Sequence, residues 1–447
     1  MVDIHSFDGV PAEALQGSMR DFRAQEGPNL LDRCCAFYAW QDVRRQSGTW
    51  PFSRSTESGP ASSCEIRDDS GRIATGVNFA SQDYLSLSSH PAVTAAAKDA
   101  IDRFGVHSAG SPALVGNTST SVELERRLAA FLKTKEAILY PTGWAAGFGV
   151  IKGLVRSYDY IVMDALAHAC LQVGAQAATR NVVLFRHLDL DHCRARLEDI
   201  RAKDLKAGIM LVTEGLFSMD SDTPDIAAMQ DLARKFGATL MVDVAHDLGC
   251  LGPGGTGHIG LQDMLGEVDL VMGSFSKTFG SNGGFVVTNS RAVKEYLRFY
   301  SPSCTFSNAL SPVEIATITK ALDIVESDEG VELRGMLMTN ILSLREQIRA
   351  AGMEVYGDPS AIVAVRTGDE ALARMTARTL PDIGLISNLV EFPAVAKRQA
   401  RFRLQVMAKH TPAEIRAAAE RMRLGMQIAR RRLEFGPSDR PAMALAG

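Results

Sequence analysis

The sequence predicts an α/β protein: a large, mainly parallel sheet wrapped by helices, followed by a smaller α+β domain. Three observations carry this. From about Lys135 short apolar runs alternate with helical stretches, the runs are apolar throughout rather than at every second residue, and the chemically interesting polar residues cluster where the runs end. Strands that read as continuous apolar runs are those buried on both faces. Sheets of that kind hold ligands at the carboxyl ends of their strands.

Residues 1–75 read as an N-terminal extension, with an amphipathic piece from Leu30 to Gln46 and a Ser/Gly/Pro-rich segment, Ser53 to Ser63, that reads as loop. The large domain, 76–325, opens on strand-like Val77 to Ala80, and His90-Pro91 starts a helix that runs through Arg103. Buried strands are then expected at Ala137 to Tyr140, Tyr160 to Met163, Gly208 to Thr213, Thr239 to Val242, Leu270 to Met272 and Phe285 to Thr288, with helical segments such as Ala227 to Lys235 between them. After Pro312 a helical pattern runs from Val313 to Ser327 and on to Ala350. The small domain, 326–435, adds a strand at Ile362 to Val365, a helix near Glu370 to Arg378, a strand at Phe402 to Val406 and a helix from Thr411 towards Arg432. Arg430-Arg431-Arg432 reads as a solvated helix end. The tail is 436–447, and its Ser438 to Gly447 stretch is expected to be disordered.

Composition narrows the class. The 447 residues are 46% hydrophobic and 22% charged, with 48 Lys+Arg against 52 Asp+Glu and a formal net charge of -4. That balance gives no basic surplus for nucleic acid and no acidic solvating tract. The seven cysteines form no CxxC and no zinc-like spacing, and the odd count argues against a full disulfide framework. Met1 to Asp21 lacks the apolar core of a secretory signal, and no run is long enough to span a bilayer. A soluble, cytoplasmic protein in a reducing compartment is expected.

Ser274-Phe275-Ser276-Lys277 lies just past a buried strand and before Gly280, Gly283 and Gly284. A lysine at such an exit is partly desolvated, which lowers its pKa and suits Schiff-base chemistry. The rival Ser-x-x-Lys reading needs a Ser-Asp-Asn and a Lys-Thr-Gly, and the chain contains neither. Asp243 and His246, in Asp243-Val244-Ala245-His246, end another apolar strand, where an acid is costly unless it meets a cation: an arginine, a metal or a protonated pyridine nitrogen. Gly143-Trp144 follows a strand and opens a helix, a turn whose backbone amides can hold a phosphate. His168 follows Asp164 one strand away. Gly252 to Gly257 fits GxGxxG but joins no strand directly to a helix, and no acid lies about twenty residues on, so it reads as a loop.

Gly143-Trp144, His168, the run Glu214 to Asp220, Asp243 to His246 and Ser274 to Lys277 fall in one order. In that order the chain resembles the α-oxoamine synthases, pyridoxal 5'-phosphate (PLP) enzymes of fold type I, from about Asn78 to Ile428. The resemblance implies a role for each residue. Lys277 holds PLP as a Schiff base and moves protons at the substrate carbon. Asp243 pairs with the pyridinium nitrogen, His246 and Ser218 border the phenolic oxygen, and His168 stacks on the ring. Gly143, Trp144, Ser274 and Ser276 hold or border the phosphate. Ser307 reaches the phosphate of the neighbouring subunit of a homodimer, and Arg403 receives the amino-acid carboxylate as a bidentate fork. The implied reaction is decarboxylative condensation of an amino acid with an acyl thioester to an α-amino ketone, with no metal.

The chain also departs from the family's pattern. Val244 and Asp247 replace a Glu and a Ser, Pro112 stands for an arginine, Ser121 for a histidine, and Glu391 for the arginine of serine palmitoyltransferase-like sequences. None of these touches Lys277 or Asp243. They open the acyl donor to a thioester on an acyl carrier protein as well as on coenzyme A. Transamination, side-chain cleavage and non-catalytic PLP binding are the alternative functions, separable by carbon dioxide release that requires a thioester.

Overall fold

The computed structural model describes residues 10–435. The expected disordered tail and the first nine residues lie outside them. The chain forms two compact units, Gln82–Leu337 and Met1–Ser81 with Met338–Gly447. The expected divisions at 75/76 and 325/326 thus move. The N-terminal residues also group with the C-terminal unit instead of forming a separate extension, because their strands complete that unit's sheet.

Among the described residues, thirteen strands run in chain order. The first three are β1 (Ser55–Thr56), β2 (Ser63–Arg67) and β3 (Ile73–Phe79). Then come β4 (Glu136–Tyr140), β5 (Tyr160–Asp164), β6 (Val182–Phe185), β7 (Ile209–Glu214), β8 (Thr239–Asp243), β9 (Leu270–Ser274) and β10 (Gly284–Thr288). The last are β11 (Ile362–Gly368), β12 (Leu385–Val390) and β13 (Ala400–Gln405).

The 82–337 unit is built on a seven-stranded sheet in the order β4-β10-β9-β8-β7-β5-β6. β9, β8, β7, β5 and β6 are parallel, and β10 runs antiparallel to both of its neighbours. Every residue of β7 and β9 is buried, as their unbroken apolar runs require. The core packs Val150, Ile151, Met163, Leu171, Val212, Met241 and Met272 between the sheet and the helices Gly143–Leu154 and Ala169–Ala178. Chain order reverses at β5, which has β6 on one side and β7 on the other, so the topological switch point lies between β5 and β7. Ligand crevices form outside the carboxyl ends of strands at such a point.

That edge is braced by charge. Asp164, at the end of β5, accepts from His187 Nδ1 at 2.9 Å, and His187 Nε2 lies 3.0 Å from Asp222 Oδ2. Burial alone would lower the imidazole's pKa, but the hydrogen bonds and charges of Asp164 and Asp222 raise it to about 10. His187, Asp220 and Asp222 bring three potential metal-ligand atoms within 4.8 Å of one another. Both ring nitrogens of His187 are already engaged by carboxylates, so the group is a strut joining the end of β5 to two loops.

The second unit carries a six-stranded sheet in the order β1-β2-β3-β12-β13-β11, with β3 parallel to β12 and the other neighbours antiparallel. The helices Glu370–Thr379 and Pro412–Phe435 belong to it. The long helical pattern after Pro312 is two helices, Pro312–Glu326 and Asp328–Ala350, separated by Ser327 in an extended conformation. Of the Leu30 to Gln46 piece, Cys35–Gln46 is α-helical. Its Trp40 joins Phe22, Phe37, Trp50 and Phe52 in a chain of ring contacts. Glu391 is buried and bridges two buried arginines, Arg44 at 2.9 Å and Arg374 at 2.7 Å. Arg374 in turn donates to the carbonyls of Gln16 and Gly17, so the N-terminal residues are tied down through this ion triad. No helix among the described residues is long and apolar enough to cross a membrane.

Both charge clusters can be tested through stability. Glu391→Gln leaves two buried guanidiniums without their anion and should cost about 3–5 kcal/mol in urea unfolding; a loss under about 1 kcal/mol would show the triad to be dispensable. For His187 the folded pKa lies above the unfolded value of 6.5. Its stabilisation is therefore complete below 6.5 and is lost as pH rises towards about 10. Thermal melts of His187→Gln across that window should be flatter with pH than those of the wild type, and parallel curves would contradict the brace.

Candidate active site

The carboxyl edge of the large sheet gathers most of the expected residues. Asp243 is the last residue of β8 and is buried, its Oδ1 accepting from Ala245 N–H at 2.9 Å. Burial raises its pKa, and the positive fields of His168 and Lys277 only partly offset this. Lys277 follows β9 and is half-buried. Its turn is closed by Gly280 N–H donating to the Lys277 carbonyl at 3.1 Å and by Phe275 N–H donating to Gly283 at 3.0 Å. Beside it, the Ser274 and Ser276 hydroxyls lie 2.8 Å apart.

Gly143 opens the helix Gly143–Leu154, whose first turn is capped by Thr142 Oγ1 accepting from Ala145 N–H at 3.0 Å. A Cβ on Gly143 would lie 2.3 Å from Ser274 Cβ, so only glycine lets the helix start meet the serine pair. Trp144, 48% exposed, stacks on Phe148 with centroids 5.3 Å apart. Two hydroxyls against the start of a 12-residue helix make an anion cradle.

His168 is exposed at the start of the helix Ala169–Ala178. Its Nδ1 accepts from Cys170 N–H at 3.3 Å and lies 3.0 Å from Cys170 Sγ. His246 is buried, with its Nδ1 3.0 Å from the hydroxyl of fully buried Tyr84. Ser218 is buried on the loop after β7.

Two expected residues lie on other segments of the chain. Ser307 lies on a segment tied to the 108–111 loop, where Ser111 Oγ donates to the Thr305 carbonyl at 2.7 Å and Ser108 Oγ to that of Ala309 at 2.9 Å. Arg403 is a residue of the other unit. It is buried on β13 with its guanidinium against the Gln405 side-chain oxygen, Nη2 at 2.9 Å. The concave space at the opposite edge of the large sheet, about 530 Å³, is lined by Asp159, Thr239 and Asp269 and by no lysine, histidine or cysteine.

Sequence reasoning missed several residues. Glu214, the last residue of β7, is buried and accepts from His168 N–H at 2.6 Å. Its place at a strand end was a visible signal, but no role followed from it. Tyr84 gave no signal, since it meets His246 only through the fold. Asp247, one of the departures, is fully buried and its Oδ2 accepts from His258 N–H at 2.7 Å and from His258 Nδ1 at 3.0 Å. That partner directly follows the Gly252 to Gly257 segment, in the short helix Gly257–Leu261. Gly257 has φ +67° and passes so close that a Cβ would lie 2.6 Å from Asp247 Oδ2.

The class of protein is set by the fold: the family model of aminotransferase class I and II matches residues 74–422. Among similar proteins, 2-amino-3-ketobutyrate coenzyme A ligase of Escherichia coli is 36% identical over 353 residues, 79% of this chain and 88% of that protein. Serine palmitoyltransferase of Sphingobacterium spiritivorum is 32% identical over 396 residues, covering 88% and 96%. The solved serine palmitoyltransferase of S. paucimobilis with a bound PLP-myriocin aldimine superposes with a TM-score of 0.84 at 30% identity, covering 90% of this chain and 99% of that one. The chain belongs to the α-oxoamine synthases, PLP-dependent acyltransferases that condense an amino acid with an acyl thioester.

The residues present fit that cofactor. The cradle at Gly143 and Ser274 suits a phosphate, and the buried Asp243, whose carboxyl is pushed up by burial, gains from the cation that a protonated ring nitrogen supplies. Gly143→Ala should weaken PLP binding about tenfold or more in an absorbance titration. An unchanged affinity would remove the cradle from the site.

Proposed function

We propose that this chain joins an amino acid to an acyl thioester at the carboxyl edge of its large sheet, with Lys277 as the group that carries the cofactor and moves the substrate's α-proton. The observation that carries this reading is the convergence of Asp243, Lys277 and His168, which interact electrostatically beside the switch point of the sheet. PLP, when bound, supplies an electron sink conjugated to the α-carbon.

The residues divide the work. Asp243 holds the ring nitrogen protonated. His168 would cover the ring face, and His246, oriented by Tyr84, would border the phenolic oxygen with Ser218. The amides of Gly143 and Trp144, with Ser274 and Ser276, hold the phosphate. Arg403 takes the amino-acid carboxylate through its two-pronged guanidinium. The Lys277 amine would take the α-proton of the bound amino acid. The new carbon–carbon bond forms at the α-carbon, the thiol leaves from the acyl group, and the carboxyl group departs as carbon dioxide. The assembly is a homodimer in which Ser307 reaches the neighbouring phosphate. The acyl donor is a thioester of coenzyme A or of a carrier protein.

The test starts with the visible spectrum of the purified protein, titrated with glycine, alanine and serine beside Lys277→Ala. The wild type should show a lysine-bound cofactor band that one amino acid shifts. The variant should lack the band and turn over about 10²–10⁴-fold more slowly. Carbon dioxide should appear only when a thioester is supplied. A protein that stays colourless with added PLP, or release without a thioester, would overturn the reading.

A further inference from the structure

Buried carboxyl groups crowd the carboxyl edge of the large sheet. Asp164 ends β5, Glu214 ends β7, Asp243 ends β8, and Asp247 follows four residues later, each at most 6% exposed. Asp164 is braced by His187 and Asp247 by His258. Asp243 faces the fields of His168 and Lys277. Glu214 differs, because the group that donates to it is a neutral backbone N–H, that of His168 at 2.6 Å. Glu214 and Asp243 are also direct register partners on parallel strands. Their backbones are about 4.8 Å apart and their side chains leave the sheet on one face.

Resting on the reading above, we propose that Glu214 works as an uncharged carboxylic acid. One oxygen seats His168 at the site, and the proton it keeps leaves Asp243 the ionised carboxylate facing the cofactor ring. Two dry carboxyl groups side by side do not both ionise readily. The groups facing Glu214 favour it as the proton holder. Burial and the charges of Asp243 and Asp164 push its pKa well up, and the His168 N–H and Lys277 oppose this only in part. A cation at Asp243 lowers that acid and so sends the shared proton to Glu214. Glu214 is a positioning residue: it touches His168, and through it the chemistry.

Two variants and two readouts test this. Glu214→Gln keeps the hydrogen-bond acceptor and mimics the uncharged acid. Glu214→Ala removes the seat. In the PLP-loaded protein the pH midpoint of the visible band should be the same in wild type and Glu214→Gln. Glu214→Ala should lower kcat about tenfold or more, and Glu214→Gln should restore most of it. A midpoint displaced by about one pH unit in Glu214→Gln would show that Glu214 is ionised and would overturn the proposal. An alanine variant with wild-type kcat would remove the seating role.

The second readout needs no cofactor. A folded pKa raised above the unfolded value makes wild-type stability fall as pH climbs from about 4.5 through the folded value, whereas glutamine does not titrate. The melting temperature of cofactor-free Glu214→Gln should therefore gain on that of the wild type as pH climbs above about 4.5. A gap that does not change with pH would contradict an uncharged Glu214. This arm stands even if the protein proves colourless with PLP, so failure of the functional reading and failure of the Glu214 assignment are separate results.

Discussion

The large unit depends on placing carboxylates at the dry ends of parallel strands. An acid there is expensive unless something compensates it, and the loops beyond the strands are arranged to do so. The loop after β6 brings His187 between Asp164 and Asp222. The loop after β8 turns so that His258 meets Asp247. The glycine-rich turn after β9 brings Lys277 into the field of Asp243. The compensation left incomplete at Asp243 is one that a cationic ring nitrogen would complete.

The other unit meets the same problem with a different outcome. Glu391 is compensated twice, by Arg44 and Arg374, and burial pulls the Arg44 pKa down to about 10 despite its anion. Here the closed ion cluster fastens structure. Its arginines reach the Thr49 carbonyl and those of Gln16 and Gly17, while Trp40 donates to Gln16 as well. A glutamate so engaged is not available to a substrate. The charge reversal at 391 relative to serine palmitoyltransferase-like sequences is thus part of how the N-terminal residues are held.

Much of the fold was legible because the large sheet's strands are apolar along their whole length and sit between clear helical patterns. β4, β5, β7, β8, β9 and β10 were all visible for this reason. β2 was not: its exposed and buried residues alternate over only five positions beside a serine-rich stretch. β12 carries Ser387 and Asn388 in mid-strand, which breaks its apolar run. The strand-end motifs around Asp243 and Lys277 could be seen because unusual residue types end apolar runs there. Contacts set by tertiary structure alone had no local trace. Arg44 and Glu391 are 347 residues apart, and Tyr84 and His246 are 162 apart. Glu214 stood in plain view at a strand end, but its meaning comes from having Asp243 as its register partner, which depends on strand order.

The departures at 244 and 247 sit in different surroundings. Val244 is fully buried, its N–H donating to the Met272 carbonyl at 2.8 Å, and a Cβ on Gly273 would meet its Cγ2 at 3.2 Å. An acid in that apolar contact would have no partner, whereas three residues on the chain reaches a pocket whose walls are backbone. There Gly215 and Gly257 come close enough that an added Cβ would lie 3.0 and 2.6 Å from Asp247 Oδ2. His258 then supplies both a backbone and a ring donor to the same oxygen. The glycines that give the Gly252 to Gly257 loop its likeness to a nucleotide fingerprint are therefore accounted for in part by Asp247. Gly257 lets the loop close over the carboxylate, and the charge of Asp247 raises the Asp243 pKa.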